Sequence, residues 1–318
     1  MSFQILGTGS SLPEKIISNN DLSKMVETSD EWITKRVGVR ERRVCTTESV
    51  TDLGAQAASR ALENAGVSAE ELDLIIAATI SADTISPGLG GMVQNRIGAH
   101  CPAFDMNVAC PGFLFALDVA AGFFARGVVK KVLVVSAERM SGLLDWTDRS
   151  TCCIFGDGAG AAVLGTGEQY LASELHTAGG DDIISIPTAW DNSPFYQRTR
   201  EKSCVHMQGQ ETYKFAINSM VTDIRSVLSK AGIGGEEIKW VIPHQANYRI
   251  INEARKRLPE IAPEKFAVNI ERVGNTSSAS EPILLDELNR AGQIQTGDYV
   301  LLSAFGGGLS SACCLIRW

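Results

Sequence analysis

The sequence predicts an α/β fold built from two similar halves, roughly residues 1–170 and 171–318. Three observations lead there: the chain repeats itself, its strands are apolar from end to end, and one helix is apolar nearly all round. Ala65-Gly-Val-Ser-Ala-Glu-Glu-Leu-Asp-Leu-Ile-Ile76 matches Ala231-Gly-Ile-Gly-Gly-Glu-Glu-Ile-Lys-Trp-Val-Ile242 almost position for position. Phe104-Asp-Met-Asn107 then echoes in Phe266-Ala-Val-Asn269, and Val132-Leu-Val-Val-Ser-Ala137 in Tyr299-Val-Leu-Leu-Ser-Ala304. Phe155-Gly-Asp-Gly158 echoes in Phe305-Gly-Gly-Gly308. The matches keep their order, and a period of half the chain marks a domain duplication rather than a solenoid.

The elements follow from local patterns. Leu53, Ala57, Ala58, Ala61, Leu62 and Ala65 recur at helical spacing, as do Ile217, Val221, Ile224, Val227 and Leu228. Gly66 and Gly232 stand where glycine closes a helix C-terminus. The runs 72–79, 132–136 and 299–303 are apolar without alternation, as central strands covered on both faces require. The predicted helix over 110–125 carries Phe113, Leu114, Phe115, Ala116, Leu117, Val119 and Ala120, so it has no solvent face. Buried helices between two covered sheets give a layered α/β/α/β/α sandwich. The stretch 180–210 is polar and proline-containing with little periodicity, and reads as a long excursion of the kind that is often functional.

Composition narrows the class. Apolar residues at 44% and charged residues at 21% are ordinary globular values and exclude disorder as the main state. A net charge of −8 makes a poor general nucleic-acid binder, because that affinity comes from excess Lys and Arg neutralising phosphates. The apolar run from Phe113 to Ala125 is too short to cross a bilayer and contains Asp118. The start, Met1-Ser2-Phe3-Gln4, has no basic and apolar leader pattern. The expectation is a soluble cytoplasmic protein with no nucleic-acid or membrane partner. The eight cysteines show no metal-ligand spacing, so no metal is expected, and a disulfide framework is unlike a cytoplasmic chain of this length. Seven of them read as small buried hydrophobes.

The eighth, Cys110, has a different context. An apolar stretch runs into it and a helix begins just after, with Pro111 at a first-turn position where its missing N–H costs nothing. A thiol at a helix N-terminus is expected to have a lowered pKa, as an acyl-accepting nucleophile needs. His244 follows a buried strand in Trp240-Val-Ile-Pro-His-Gln-Ala-Asn247, at the end where open α/β sheets carry their sites. Taken in isolation it reads better as a structural turn histidine, and His100, His176 and His206 lack such context. Asn275, in Gly274-Asn-Thr-Ser-Ser-Ala-Ser280, suits a helix cap or a donor to a developing oxyanion. The glycines of Phe305-Gly-Gly-Gly308 allow a tight turn or a backbone N–H aimed at a carbonyl oxygen. No serine-hydrolase elbow or phosphate-binding loop appears, and Gly7-Thr-Gly9 lacks the third glycine of a dinucleotide loop.

Taken together, Cys110, Pro243-His244-Gln-Ala-Asn247, Gly274-Asn275-Thr276-Ser277 and Phe305-Gly-Gly-Gly308 resemble β-ketoacyl-acyl-carrier-protein synthase III. This is the initiating condensing enzyme of type II fatty acid synthesis, in the thiolase superfamily. The resemblance runs along essentially the whole chain and takes in Thr28-Ser-Asp-Glu-Trp-Ile33, Arg36-Val-Gly-Val-Arg40, Asp148-Arg149 and Phe155-Gly-Asp-Gly-Ala-Gly-Ala161. It implies a thiolase-like, duplicated five-layer α/β/α/β/α sandwich, usually a homodimer, with contact through 104–107 and 80–92. It implies decarboxylative condensation of an acyl-CoA primer with malonyl-acyl-carrier protein, through an acyl-Cys110 intermediate and with no cofactor beyond the acyl-CoA substrate. His244 and Asn275 would donate to the thioester oxygen, and the N–H groups of Cys110 and Gly307 would form the oxyanion hole. Trp32, Arg36, Arg149, Gly209, Tyr213, Ala246 and Asn247 would bind CoA. Lys214, Arg249, Lys256 and Arg257, near Arg255, would receive the acidic carrier protein despite the acidic total.

The chain departs from the family pattern at several places. Pro111 follows the nucleophile where Ala or Ser is usual, Tyr213 replaces Phe, and Leu309-Ser-Ser311 replaces a bulkier segment. Ser86-Pro-Gly-Leu-Gly-Gly91 stands where many members carry a Phe-Pro gate to the acyl pocket, which opens the question of primer size. Glu281 stands where an apolar residue is usual and, if buried, needs a partner or a raised pKa. Competing readings are a condensing enzyme of specialised metabolism with another primer, a non-catalytic acyl or carrier-protein binding partner, and a simple acyltransferase or acyl-Cys hydrolase. The intact Cys, His and Asn speak against the second, and Asn275 would be unnecessary in the third.

Overall fold

The apolar runs become the centres of two sheets with one shared plan. In the computed structural model, which describes residues 2–188, 193–195, 197 and 202–318, the first sheet sets five strands side by side. They are Ser2–Ser11, Asp157–Gly167, Lys131–Arg139, Leu74–Ala78 and Ala103–Met106, in that order. The second sheet runs Tyr170–Thr177, Ser310–Arg317, Tyr299–Gly306 and Ile238–Pro243, and a parallel bridge from Val241 to Phe266 continues it. In both, the first two pairings are antiparallel and the later ones parallel. The matched sequence segments occupy matching places in the two sheets.

The layers follow from the alternation of side chains along each strand. Val132 and Val134 point inward to Phe113, Leu117, Phe124, Leu284 and Leu285, on the helices Gly112–Ala125 and Ser280–Arg290. Leu302 and Ile316 of the second sheet meet the same cluster from the other side. Leu133 and Val135 point outward to the helices Val50–Ala65 and Leu89–Ile97. Leu301 and Leu315 point to Gly209–Ala231 and Tyr248–Arg257. The result is helices, sheet, helices, sheet, helices.

Helix ends obey their local chemistry. Ser49 and Asp52 form a capping box at the start of Val50–Ala65. Gly66 (φ 63°) and Gly232 (φ 68°) close their helices in the left-handed region. Pro111 differs from expectation: the helix begins at Gly112, and Pro111 is the capping residue before it rather than its first residue.

The glycine-rich 86–91 segment becomes the start of helix Leu89–Ile97, where the Leu89 and Gly90 N–H groups donate to the Asp105 carboxylate at 2.6 and 2.7 Å. Within the 180–210 excursion, Ile184–Ser185 pairs with His206–Met207. The rest of that stretch at 189–192, 196 and 198–201 lies outside the described residues. Among the described residues no helix is long and apolar enough to cross a membrane.

Candidate active site

The candidate residues sit where parallel strands end. Cys110 follows Ala103–Met106, His244 follows Ile238–Pro243, and the glycine turn closes Tyr299–Gly306. Because the two sheets face each other across the buried helices, these ends converge on one cavity of about 1550 Å³ lined by Cys110, His244, Asn275 and Phe305–Gly308. That is larger than most small-ligand sites, which run to about 1,000 Å³, and suits a long, extended ligand.

Each group is held from behind. Cys110 sits after Ala109, whose φ of 48° is unusual for a residue with a side chain. A Cβ on Gly306 would lie 2.9 Å from the Cys110 nitrogen and Cβ, so only glycine lets the turn approach the nucleophile this closely. No acceptor among the described residues takes the backbone N–H of Cys110 or Gly307.

The Asn275 backbone is stitched into the other half: its N–H donates to the Ile154 carbonyl, and the Gly156 N–H donates to the Asn275 carbonyl. Its side-chain oxygen accepts the Ser277 N–H at 2.8 Å, which leaves the amide NH₂ as the end able to act in the cavity. This turn bends at Ser277 (φ 51°), and the helix that follows begins later, capped at Ala279, so Asn275 is not its cap.

His244 is 1% exposed, its N–H donates to the Ser303 carbonyl, and its ring meets Phe305 edge-on at 5.3 Å. Burial presses its pKa down to about 3, so the ring is neutral through the physiological range.

The thiol departs from the lowered pKa expected of a helix start. Burial pushes Cys110 up to about 12, and among the described residues no cationic side chain forms an ion pair within the cavity to oppose it. Alkylation of Cys110 by iodoacetamide, followed by peptide mass spectrometry, should therefore accelerate about tenfold per pH unit up to pH ~9, tracking the thiolate fraction. A plateau near neutral pH would show that the helix end outweighs burial.

Two supporting residues were not singled out in the sequence. Gln245 pins the turn that carries His244: its amide nitrogen donates to the Pro243 carbonyl at 2.7 Å, and its oxygen accepts from the Asn269 and Ile270 N–H groups. Glu138, fully buried, accepts from the Ile80 N–H and the Ser81 and Ser278 hydroxyls, tying the Asn275 turn to the first sheet. A lone acid ending an apolar strand is the one hint it gave.

The remaining candidates are more dispersed. Ala246 lines the cavity; Trp32, Arg36, Arg149, Gly209, Tyr213 and Asn247 do not. Trp32 packs against the buried cluster that contains the cavity residue Val205, and the Arg149 and Arg36 guanidinium groups lie 5.2 and 5.8 Å from its ring. Asn247 is a helix cap: its oxygen accepts the Arg249 N–H and its nitrogen donates to the Arg36 carbonyl.

The basic face is less bare than its sequence suggests. Lys214 pairs with Glu211, and Lys256 and Arg257 with Glu253. Arg249 lies over the Tyr213 ring and has no carboxylate partner among the described residues. Arg255 turns inward to the Phe266 carbonyl.

The comparisons with known proteins agree with this geometry. The family model for 3-oxoacyl-[acyl-carrier-protein] synthase III matches residues 104–179, and the model for its C-terminal part matches 228–318. The β-ketoacyl-[acyl-carrier-protein] synthase III of Clostridium acetobutylicum is 42% identical over 100% of this chain and 99% of that protein. The chain belongs to the β-ketoacyl-acyl-carrier-protein synthase III family. Its fold is the thiolase-like one of that family. The crystal structure of the synthase III of Aquifex aeolicus superposes with a TM-score of 0.93 at 44% identity, covering 99% of this chain and 100% of that one. The priming β-ketosynthase of the R1128 polyketide pathway superposes equally well, at 0.93, but is 34% identical, over 99% and 96% of the chains. A synthase III is an acyltransferase, a condensing enzyme of fatty acid biosynthesis.

Proposed function

We propose that Cys110, His244 and Asn275 carry out the condensation between an acyl-CoA primer and malonyl-acyl-carrier protein. The convergence of these three residues on one cavity carries the reading. Cys110 Sγ attacks the acyl-CoA carbonyl, the carbon–sulfur bond to CoA breaks, and the thiol proton leaves with the CoA sulfur. The malonyl thioester then loses CO₂. The electron pair released develops on the thioester oxygen, where the His244 ring N–H and the Asn275 amide donate. No strong base is needed for this step; neutral donors fixed in a dry site suffice. The carbanion attacks the acyl-Cys110 carbonyl, whose oxygen faces the Cys110 and Gly307 N–H groups. Cleavage of the carbon–sulfur bond returns Cys110 and releases the 3-ketoacyl product.

Trp32 with Arg36 and Arg149 is the proposed seat of the CoA nucleotide, and Ala246, which lines the cavity, with Gly209, Tyr213 and Asn247 is proposed for the pantetheine arm. Arg249, unpaired among the described residues, is the leading carrier-protein contact, with Lys214, Lys256 and Arg257 around it. The open edge strand Ala103–Met106, with Phe104 half-exposed, is the proposed homodimer seam. Eight free cysteines suit a reducing cytoplasm. Fatty acid synthesis is favoured over a specialised pathway because the more similar relatives are named for the former.

Intact-protein mass spectrometry tests the reading. The mass should rise by one acyl group with acyl-CoA and return to its starting value when malonyl-acyl-carrier protein is added. An unchanged mass with acetyl-, propionyl- and branched acyl-CoAs would sink it.

A further inference from the structure

Behind His244 lies a residue that the reaction above does not use. Glu281, near the start of helix Ser280–Arg290, is 0% exposed. Its Oε1 lies 3.6 Å from His244 Nδ1. Neither carboxyl oxygen has a hydrogen-bond partner among the described residues, and neither does Nδ1. Two unsatisfied polar groups face each other in a site with no water access, and a proton between them satisfies both. The separation is a little longer than a formed hydrogen bond, and such contacts in catalytic sites tighten when substrate is bound.

The position of that proton is set by solvation. An ionised carboxylate here would stand buried with both oxygens unpaired, which is the costliest arrangement available to it. Burial accordingly holds Glu281 well above the ordinary carboxylate range, as it holds His244 neutral. The other titratable groups facing Glu281 are the thiols of Cys110 and Cys314, which burial also keeps protonated and uncharged. Among the described residues no Lys or Arg pairs with Glu281 to draw it into its ionised form.

We propose that Glu281 is a positioning residue for His244: its carboxylic acid O–H donates to Nδ1, which keeps the ring's single proton on Nε2, the nitrogen left for the cavity. Asn275 is treated in the same way, its acceptor end being taken from behind by the Ser277 N–H. Each donor is thus fixed as a donor by a partner on its far side. The inference deepens the proposed role of His244 and rests on it.

Three variants and one spectrum test this. In Glu281→Val nothing donates to Nδ1; in Glu281→Gln the amide NH₂ can. Glu281→Val should lose malonyl decarboxylation by roughly ten- to a hundredfold in kcat, the range seen when a group orienting a functional histidine is removed. Its KM for malonyl-acyl-carrier protein and its rate of Cys110 acylation should stay near wild type. Glu281→Gln should keep most of the activity and the wild-type pH profile across the neutral range. The ¹⁵N spectrum of histidine-labelled wild type should show Nε2 protonated and Nδ1 bare. A spectrum with the proton on Nδ1, a Gln variant as impaired as Val, or a Val variant as active as wild type would each overturn the inference. If Glu281→Val does not fold, the wild-type spectrum and the Gln variant decide. His244→Ala separates the two levels: full decarboxylation there defeats the role given to His244. An inactive His244→Ala beside a fully active Glu281→Val defeats only the role given to Glu281.

Discussion

Asn275→Ala should lose roughly 100- to 1000-fold in malonyl decarboxylation, the usual effect of removing one donor from a developing oxyanion, while Cys110 still takes up acyl groups at a near-normal rate. The split follows from the geometry. The Asn275 NH₂ is free for the cavity because Ser277 occupies the oxygen, and among the described residues no hydrogen bond joins the amide directly to the Cys110 thiol. The substitution removes the side-chain bond but leaves the backbone pairing of Asn275 with Ile154 and Gly156 intact, so the turn should persist. Release of labelled CO₂ from malonyl-acyl-carrier protein and single-turnover acylation read the two steps separately. Equal losses in both would make Asn275 a structural residue.

Cys110→Ala should abolish acyl-enzyme formation and condensation, with no acyl adduct by mass, because no other thiol lines the cavity. The same variant should still decarboxylate malonyl-acyl-carrier protein slowly. His244 and Asn275 remain in place there, and their donors act on the malonyl thioester rather than on the nucleophile. This outcome distinguishes a site with two separable functions from one in which the three residues act as a single proton relay. In a relay, removing Cys110 would silence decarboxylation as well.

What the sequence revealed divides along physical lines. Local chemistry was legible. Gly66 and Gly232 close helices because the left-handed region excludes most side chains, and the apolar runs 72–79, 132–136 and 299–303 form covered strands. The residues proposed for the chemistry, Cys110, His244 and Asn275, were also visible, since each stands in a short run of unusual composition. Properties set by distant parts of the chain were not. The Cys110 thiol was expected to fall with the helix end and instead rises with burial, which depends on the whole cavity. Asn247 was placed against the substrate without its cap, in which its amide serves the first turn of its own helix and the Arg36 carbonyl. The cations Lys214, Lys256 and Arg257 were counted without their carboxylates, although Glu211 and Glu253 stand three or four residues away on the same helix as the cations they pair with. Glu138 acts through partners remote in sequence, and Gln245 joins its neighbour Pro243 to the distant Asn269 and Ile270.

The backbone stitch between Asn275 and the strand-like stretch 154–156 has a meaning for the chain's history. The proposed nucleophile is carried by one half of the chain and both proposed donors by the other, and the Asn275 loop is hydrogen-bonded into the half that holds Cys110. A single copy would hold half of the chemistry and an unpaired edge where the other half's loop now docks. Two copies are therefore the smallest unit in which these three side chains can meet. The covalent link between them turns what would otherwise be a matter of two chains finding each other into a fixed feature of one.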